Sequence, residues 1–313
     1  MSPPLMAALG ALVVWILAES KTSRSDGALV KTHPYRRLMH FIMPTRAESV
    51  VLYEASVPAE PLLAYLDAAR TRLGADMTHC LVAAASIGLA ENPRLNRFVS
   101  GRRLYQRDGR WITFSMKRKA RDAEARLSAV KMQMRDGETF AELCARINGD
   151  IEVERSGVKT SADKEFDLFS PLPRPILRAA VSLCRALDYY NLLPAFFIRG
   201  DAMYTSFFAA NLGSIGMKAG YHHLYEWGNC PFFMMVGQIE ERPVVVHGQV
   251  EARRFIPVTF TYDERVDDGM TAGKGIESLT RVLTQPERYL GCVAEDGSDT
   301  APLWPRASTS PSA

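Results

Sequence analysis

The chain has 313 residues, a formal net charge of +3, and 47% hydrophobic and 23% charged residues. This composition is typical of a globular protein with enough chain to bury a core, as one large domain or two small ones. Such a small net charge argues against nucleic acid as a partner. The five cysteines lie far apart without C-x-x-C spacing, which predicts buried thiols in a reducing, cytoplasmic compartment and neither disulfides nor a metal site.

The N-terminal segment is apolar from Leu5 to Ala18, which is shorter than the ~20 residues of a typical spanning helix. No Lys or Arg precedes this run, so the charged start of a secretory signal is missing. Three interpretations of this segment stay open: an uncleaved membrane anchor, a partner-binding helix, or sequence upstream of the true start codon. The membrane anchor is not the favoured interpretation. Lys21–Gly27 is polar and indicates a linker.

These features predict three parts. Residues 1–27 are the apolar segment and linker, residues 28–295 are the folded catalytic-type domain, and residues 296–313 are a Ser/Pro-rich disordered tail.

The first half of the domain predicts strands and helices in turn. Val50–Val57 indicates a strand, Pro58–Leu73 an amphipathic helix, and Thr78–Glu91 a nearly all-apolar helix that must be buried. Trp111–Lys117 predicts a further strand, and Ala123–Asn148 is interpreted as a helix.

The segment Pro171–Pro194 is an unusually apolar helical stretch. It contains Arg178, Arg185 and Asp188, which argue against a lipid-spanning helix. A core or subunit-interface helix is favoured over a helix on a membrane surface.

The C-terminal half predicts strands within Thr205–Gly216, Phe232–Gly237 and Pro257–Asp263, with a hairpin turn at His247–Gln249. A charged turn follows the last strand, and then a helix begins near Met270. A strand, an acidic turn, a glycine and a helix in this order present the turn side chains to a cavity.

Four motifs in this order carry a resemblance. They are P-R-L-N at Pro93–Asn96, N-L-G at Asn211–Gly213, R-P-V-V at Arg242–Val245, and Y-D-E-R-V-D-D-G at Tyr262–Gly269. Over roughly residues 34–290 the chain resembles the catalytic domain of the 2-oxoacid dehydrogenase acyltransferases, the dihydrolipoyl acyltransferases, and the related chloramphenicol acetyltransferase.

The resemblance implies an α/β fold, a chloramphenicol acetyltransferase-like two-layer sandwich with a mixed β-sheet and packed helices. It implies acyl-CoA, and thus coenzyme A, as a substrate, an acceptor that the sequence does not identify, and a homotrimer or larger assembly. No lipoyl attachment is expected in this chain, which resembles a catalytic domain by itself.

The resemblance also assigns roles, with two departures. The catalytic histidine of the family falls on Glu264, and the hydroxyl that donates to the oxyanion falls on Ala210. A glutamate has an ordinary pKa near 4.3, so Glu264 would need a buried environment to act as a base.

Asn211 and Gly213 match the N-L-G pattern of the family and, with Ser214, are the expected cofactor-binding residues. Ser206 and Ser214 are the hydroxyls nearest to Ala210 in sequence, and strand alternation decides whether either can replace the missing one.

Asp268 matches a family aspartate that holds the turn, and Arg36, Arg37 or Arg265 is its expected partner. The structural role is favoured over a reacting one.

His222 and His223 lie in an aromatic loop and offer an imidazole from another direction, although loop histidines are more often structural. Tyr221, Tyr225 or Trp227 could instead bind the ligand while Glu264 acts as the base. Two functions therefore stay open: a coenzyme A-dependent acyltransferase with altered catalytic groups, or a non-catalytic relative that binds an acyl or CoA ligand or has a structural place in an assembly.

Overall fold

The computed structural model describes residues 2–117, 127–156 and 171–305. The helices are α1 (Pro3–Ser20), α2 (Pro34–Ile42), α3 (Ala59–Leu73), α4 (Met77–Glu91), α5 (Phe140–Arg155), α6 (Arg174–Tyr189), α7 (Ala195–Gly200), α8 (Gly269–Thr284) and α9 (Pro286–Tyr289). The strands are β1 (Gly27–Leu29), β2 (Val50–Pro58), β3 (Arg97–Ser100), β4 (Arg103–Arg107), β5 (Arg110–Lys117), β6 (Leu127–Met134), β7 (Phe207–Asn211), β8 (Phe232–Val236), β9 (Glu240–Val246) and β10 (Gln249–Asp263).

The main sheet has seven strands in the order β2-β10-β8-β7-β5-β6, and β9 pairs with the first half of β10. β7 runs parallel to both β5 and β8, whereas the other pairs are antiparallel. A small sheet, β1-β4-β3, lies apart from it. The mixed sheet that the sequence predicted is therefore confirmed.

One face of the main sheet is covered by helices, because α3, α4 and α8 all contribute to the main hydrophobic core. α4 is apolar on all sides and is buried from His79 to Ala90, as predicted. It begins at a capping box in which Asp76 accepts from the backbone N–H of His79 and the His79 side chain contacts the backbone of Asp76. These helices and the sheet form the two layers of the predicted sandwich.

The other face of the sheet carries the second set of strand side chains. In β7, Phe207 and Ala209 pack into the helical core, whereas Phe208 and Ala210 point to the opposite side. Phe208 stacks on Phe233 of β8 with ring centroids 4.5 Å apart. The connection from 212 to 231 lies over this face.

The helix predicted over Ala123–Asn148 is wrong. From Leu127 to Met134 the chain is strand β6, and its buried residues Val130, Met132 and Met134 recur every second position. α5 begins only after Thr139, which forms a capping box with Glu142. Residues 123–126 lie outside the described ranges.

The polar segment Lys21–Gly27 is not a linker. The Arg24 side chain is 1% exposed and pairs with Asp26 and with Asp188 at the end of α6, at 2.9 Å in both cases. Gly27 already pairs with Arg107 in the small sheet. The folded domain therefore begins at about Arg24, since charges that are paired inside the fold leave a polar sequence pattern.

The predicted disordered tail also starts too early. Leu303 is buried, and its backbone N–H donates to the Glu138 carbonyl at 2.8 Å. The chain up to residue 305 thus packs onto the domain, and residues 306–313 lie outside the described ranges.

α1 and α6 differ from the other long helices because none of their residues is buried. For α6 this excludes the core position that was predicted, while a subunit interface stays a prediction. Among the helices of the described ranges, α1 alone is long and apolar enough to cross a membrane by length and composition. The bent pair α3 and α4 meets that criterion only as one broken span, and both helices contribute buried residues to the core.

Candidate functional site

A cavity of about 480 Å³ opens where β7 ends, between the sheet and the connection that covers it. Phe114, Met116, Phe208, Phe233 and Met235 are among its apolar walls. Its polar lining comes from several elements and comprises Asp76, Thr78, Ser115, Arg155, Asn211, Ser214, His222 and Tyr225. Apolar walls with a few convergent polar groups are typical of a small-molecule site.

His222 is held in this cavity by stacking and by one hydrogen bond. Its ring stacks on Phe233 with centroids 4.8 Å apart and nearly parallel planes. Its Nδ1 lies 2.7 Å from the backbone carbonyl of His223. A carbonyl can only accept, so Nδ1 carries the proton, and in the neutral imidazole Nε2 then has a free lone pair.

The loop that carries His222 is anchored on both sides. Thr259 of β10 donates its hydroxyl to the Gly220 carbonyl at 2.7 Å, and Arg46 donates to the Tyr225 carbonyl at 2.9 Å. Tyr225 lines the cavity. Trp227 instead donates to the Asp201 carboxylate at 2.5 Å and has a structural role.

The two loop histidines have different surroundings. His223 is exposed, and its ring stacks on His222 at 4.7 Å and contacts Tyr225 edge-on. Of the two, only His222 lines the cavity.

The N-L-G segment forms the floor of the cavity. Asn211 accepts from the backbone N–H of Ser214 at 3.1 Å, and the Ser214 hydroxyl donates to the Asn211 carbonyl at 2.7 Å. Gly213 is needed for close packing, because a Cβ atom there would lie 2.6 Å from the Gly237 carbonyl oxygen. Ala210 lies beside these residues on the cavity wall.

The charged turn after β10 is built around a buried ion pair. Arg265 donates to both carboxylate oxygens of Asp263, at 2.9 and 2.8 Å, and Ser49 donates to the same carboxylate at 2.8 Å. Burial opposes ionisation of Asp263, but the Arg265 hydrogen bonds and charge outweigh it and hold the pKa of this carboxyl below its ordinary value. Glu264 lies between them in sequence, and its side chain is exposed.

The ion pairs expected of Asp268 are made by Asp267. The Asp267 side chain is 1% exposed and lies 2.6 Å from Arg94, 3.5 Å from Arg36 and 3.7 Å from Arg97. Asp268 is exposed and caps α8 by accepting from the Thr271 N–H at 3.0 Å.

Glu264 and Ala210 lie at opposite ends of the sheet. Ala210 pairs with Met235, which pairs with Thr259. Glu264 follows Thr259 by five residues, which at ~3.4 Å per strand residue places it about 17 Å further along. The chain therefore brings His222, Asn211 and Ser214 to one cavity but leaves Glu264 and Asp268 outside it.

Several cavity residues have no local sequence signal. Asp76 and Thr78 come from the start of α4, Ser115 from β5, and Arg155 from the end of α5. Within the described ranges, no group of three or more His, Cys, Asp or Glu side chains could hold a metal ion.

The described residues adopt a chloramphenicol acetyltransferase-like fold. A solved chloramphenicol acetyltransferase aligns at a TM-score of 0.50 and 13% identity, covering 82% of this chain and 99% of its own. A probable dihydrolipoamide acetyltransferase from Listeria monocytogenes aligns at a TM-score of 0.55 and 16% identity. The alignment covers 82% of this chain and 94% of that chain. The dihydrolipoamide acetyltransferase of Azotobacter vinelandii aligns at a TM-score of 0.53 and 18% identity. The alignment covers 82% of this chain and 93% of that chain.

Residues 200–291 match the catalytic domain of the 2-oxoacid dehydrogenase acyltransferases. The lipoamide acyltransferase component of the branched-chain alpha-keto acid dehydrogenase complex of Pseudomonas putida is 38% identical over 60 residues, which are 18% of this chain and 14% of that protein. The chain thus spans about one seventh of this curated relative. The match and the fold together confirm the resemblance to this acyltransferase family that the sequence predicted.

Proposed function

We propose that the chain transfers an acyl group from acyl-CoA to a thiol, hydroxyl or amine acceptor, with His222 as the general base. The observation that carries this proposal is that one cavity holds the His222 imidazole and the N-L-G end of β7. The matched family consists of acyltransferases, which supports the reaction class.

The reaction would proceed by addition and elimination. Nε2 of His222 takes the acceptor proton while the acceptor attacks the thioester carbonyl, so that a bond to the acceptor forms and the carbonyl becomes an oxyanion. The oxyanion then collapses, the carbon–sulfur bond breaks, and the imidazolium returns its proton to the CoA thiolate. The products are the acylated acceptor and free CoA, and no other reactant is required.

The oxyanion needs donors that Ala210 lacks. The hydroxyls of Thr78 and Ser115 and the amide group of Asn211 belong to the walls of the same cavity. Preorganised donors of this kind stabilise a developing negative charge by several kcal/mol, about 10²–10³ in rate for each donor.

Arg155 gives the cavity a cationic group, and its side chain is exposed. Guanidinium groups match the geometry of phosphate, so Arg155 is a candidate contact for the phosphates of CoA. The aromatic and methionine walls suit an apolar acyl chain.

A second candidate is a ligand-binding relative without turnover. In the Azotobacter vinelandii enzyme a serine, a histidine and an asparagine have been studied for their role in catalysis. The serine and histidine positions of the family motif fall here on Ala210 and Glu264. The absence of the histidine at Glu264 and of the hydroxyl at Ala210 favours this candidate.

The assembly is also a proposal. The neighbouring folds include the cubic core of a pyruvate dehydrogenase multienzyme complex, at a TM-score of 0.53 and 18% identity, and this supports a homotrimer or larger homo-oligomer.

The test is turnover of a panel of acyl-CoAs, followed as release of free thiol. His222→Ala should lower turnover by about 10²–10⁴, the usual contribution of a general base. His223→Ala is the matched control, because it removes an adjacent imidazole but leaves the backbone carbonyl that orients His222, and it should keep most of the activity. Glu264→Gln should also keep most of it.

Loss of turnover in Glu264→Gln, with activity retained in His222→Ala, would move the base to the turn after β10. Binding of acyl-CoA by the wild-type chain without any turnover would favour the ligand-binding relative.

A further inference from the structure

We infer that α1, α2 and α6 form a docking surface for an anionic lipid bilayer, with α1 inserted among the acyl chains and α6 lying in the headgroup region. This inference is independent of the chemistry in the cavity.

α1 needs an apolar environment that the described part of the chain does not supply. Its apolar side chains lie on all sides of the helix, and every one from Leu5 to Leu17 is exposed, with Val14 at 67%. A helix that is apolar all round is typically buried in a core or a membrane. Its 18 residues extend about 27 Å at 1.5 Å each, and the apolar run Leu5–Ala18 accounts for about 21 Å of this, so α1 can insert through most of the ~30 Å of a bilayer interior.

α2 has its polarity reversed relative to an ordinary surface helix. His40 faces the domain and is buried, and Arg36 reaches Asp267. Tyr35, Leu38 and Ile42 occupy the outer side and are more than half exposed. An apolar outer face of this kind indicates a surface that meets something other than water.

α6 is amphipathic and also has exposed apolar residues. Ile176 and Leu183 are seven residues apart, so they share one face, and they are 52% and 60% exposed. Arg174, Arg178 and Arg185 share the opposite face. Helices with this pattern lie in the interface plane of membranes.

The C-terminal ends of all three helices meet at the turn between β3 and β4. Arg103 donates to Glu19 of α1, and Arg102 lies over the ring of Phe41 of α2 at 5.1 Å. Gly101 packs against the end of α6 so closely that a Cβ atom there would lie 2.2 Å from the Tyr189 carbonyl oxygen. The three exposed helices are therefore attached at one place on the domain.

The charge of this region selects the kind of membrane. Among the described residues, no carboxylate lies within ion-pair distance of Arg102, Arg174, Arg178 or Arg185. Unpaired arginines beside apolar helices attract anionic headgroups. Two copies of this basic surface would repel each other, which argues against self-association. A flat protein surface would cover only one side of α1, whereas a bilayer surrounds the whole helix.

The test is flotation of the full-length chain, purified in non-ionic detergent, with vesicles of phosphatidylcholine alone or mixed with phosphatidylglycerol. The wild type should float with both vesicles and bind the mixed ones more tightly. Arg178→Gln and Arg185→Gln should each reduce that preference about fivefold, as expected for one arginine near an anionic surface.

The apolar contribution is tested with Leu183→Glu and Val14→Glu, which should lower the bound fraction at least several-fold. Val245→Glu is the matched control, because Val245 is 72% exposed on the β9–β10 hairpin, and it should float like the wild type. Circular dichroism of each variant checks the fold.

Three results would overturn the inference. They are no flotation of the wild type, equal flotation of all variants, or loss of oligomers in light scattering by Leu183→Glu with unchanged vesicle binding. The last result would assign the surface to contacts between copies of the chain.

Discussion

Asp267 and Asp268 are adjacent in sequence but have different physical roles. Asp267 is buried among three arginines, whereas Asp268 is exposed and accepts one backbone hydrogen bond at the start of α8. The Thr271 hydrogen bonds, more than the charges of Arg36 and Arg94, hold the pKa of Asp268 below its ordinary value. A D-G motif match alone does not separate the two carboxylates.

We expect Asp267→Asn to lower the free energy of unfolding by about 2–3 kcal/mol. This is less than the ~3–5 kcal/mol for breaking a fully buried ion pair, because Arg94 is 58% exposed. Asp268→Asn is the control and should cost less than ~0.5 kcal/mol, since asparagine caps helices as well as aspartate. Urea unfolding of both variants measures the difference, and equal losses would contradict the assignment.

At the scale of elements, one buried ion cluster joins the start of the domain to α6. Arg24 binds Asp26, Asp188, Ser100 and Asn191. Burial opposes ionisation of Asp26, but Arg24 and the nearby Arg107 outweigh it and keep its pKa below the ordinary value. For Asp188, burial outweighs its single arginine partner and raises its pKa.

We expect Arg24→Gln to loosen α6, because Asp26 and Asp188 would lose their shared cation. Removing one partner of a buried pair costs about 3–5 kcal/mol. Hydrogen exchange should therefore increase in α6 and in β1 rather than uniformly. Lys21→Gln is the matched control, because the Lys21 ammonium bonds only to Ser23 in the described ranges, and it should leave the exchange unchanged.

For the whole molecule, Lys131 couples stability to pH. Its ammonium donates to the carbonyls of Ile198 and Asp201 at 2.7 and 3.0 Å and lies 5.2 Å from the Trp111 ring. Burial, with a smaller repulsion from Arg107, lowers the pKa of Lys131 to about 8 from the ordinary 10.5. Between these two values the unfolded chain binds more protons than the folded one, so this group makes stability rise with pH.

We expect the difference in unfolding free energy between wild type and Lys131→Met to change in favour of the wild type from about pH 8 to about pH 10.5. The slope is at most ~1.4 kcal/mol per pH unit. The comparison is made as a difference because burial raises the pKa of the Cys80 and Cys144 thiols. These thiols make stability fall as pH rises, and they do so equally in both proteins. A difference in unfolding free energy that does not change with pH would show that folding does not lower the pKa of Lys131.

Local patterns were enough to predict most elements. The alternation in Pro257–Asp263 predicts a strand and the apolar run of α4 a buried helix, and both are observed, although this part of the strand is buried on both faces. Leu127–Met134 was misread because Leu127, Val130 and Met134 also fit a helical spacing, and pairing with β5 decides between the two.

Charged segments were less predictable. The polar sequence around Arg24 and Asp26 is typical of a linker. Their burial is stable because they pair with each other and with charged residues of α6 and β4. The same holds for Asp267, whose arginine partners lie far away in sequence, in α2 and around β3.

By itself the sequence determined the family resemblance and the mixed sandwich, because ordered motifs and hydrophobic periods are local properties of the chain. The two departures that the resemblance implies at Glu264 and Ala210 stay predictions. The tertiary structure decided which candidate residues share a cavity. His222 joins the end of β7 and Glu264 does not, because pairing of β7, β8 and β10 places the two turns at opposite ends of the sheet. Distances between residues on different strands depend on the strand register, and the spacing of residues along the sequence does not determine that register.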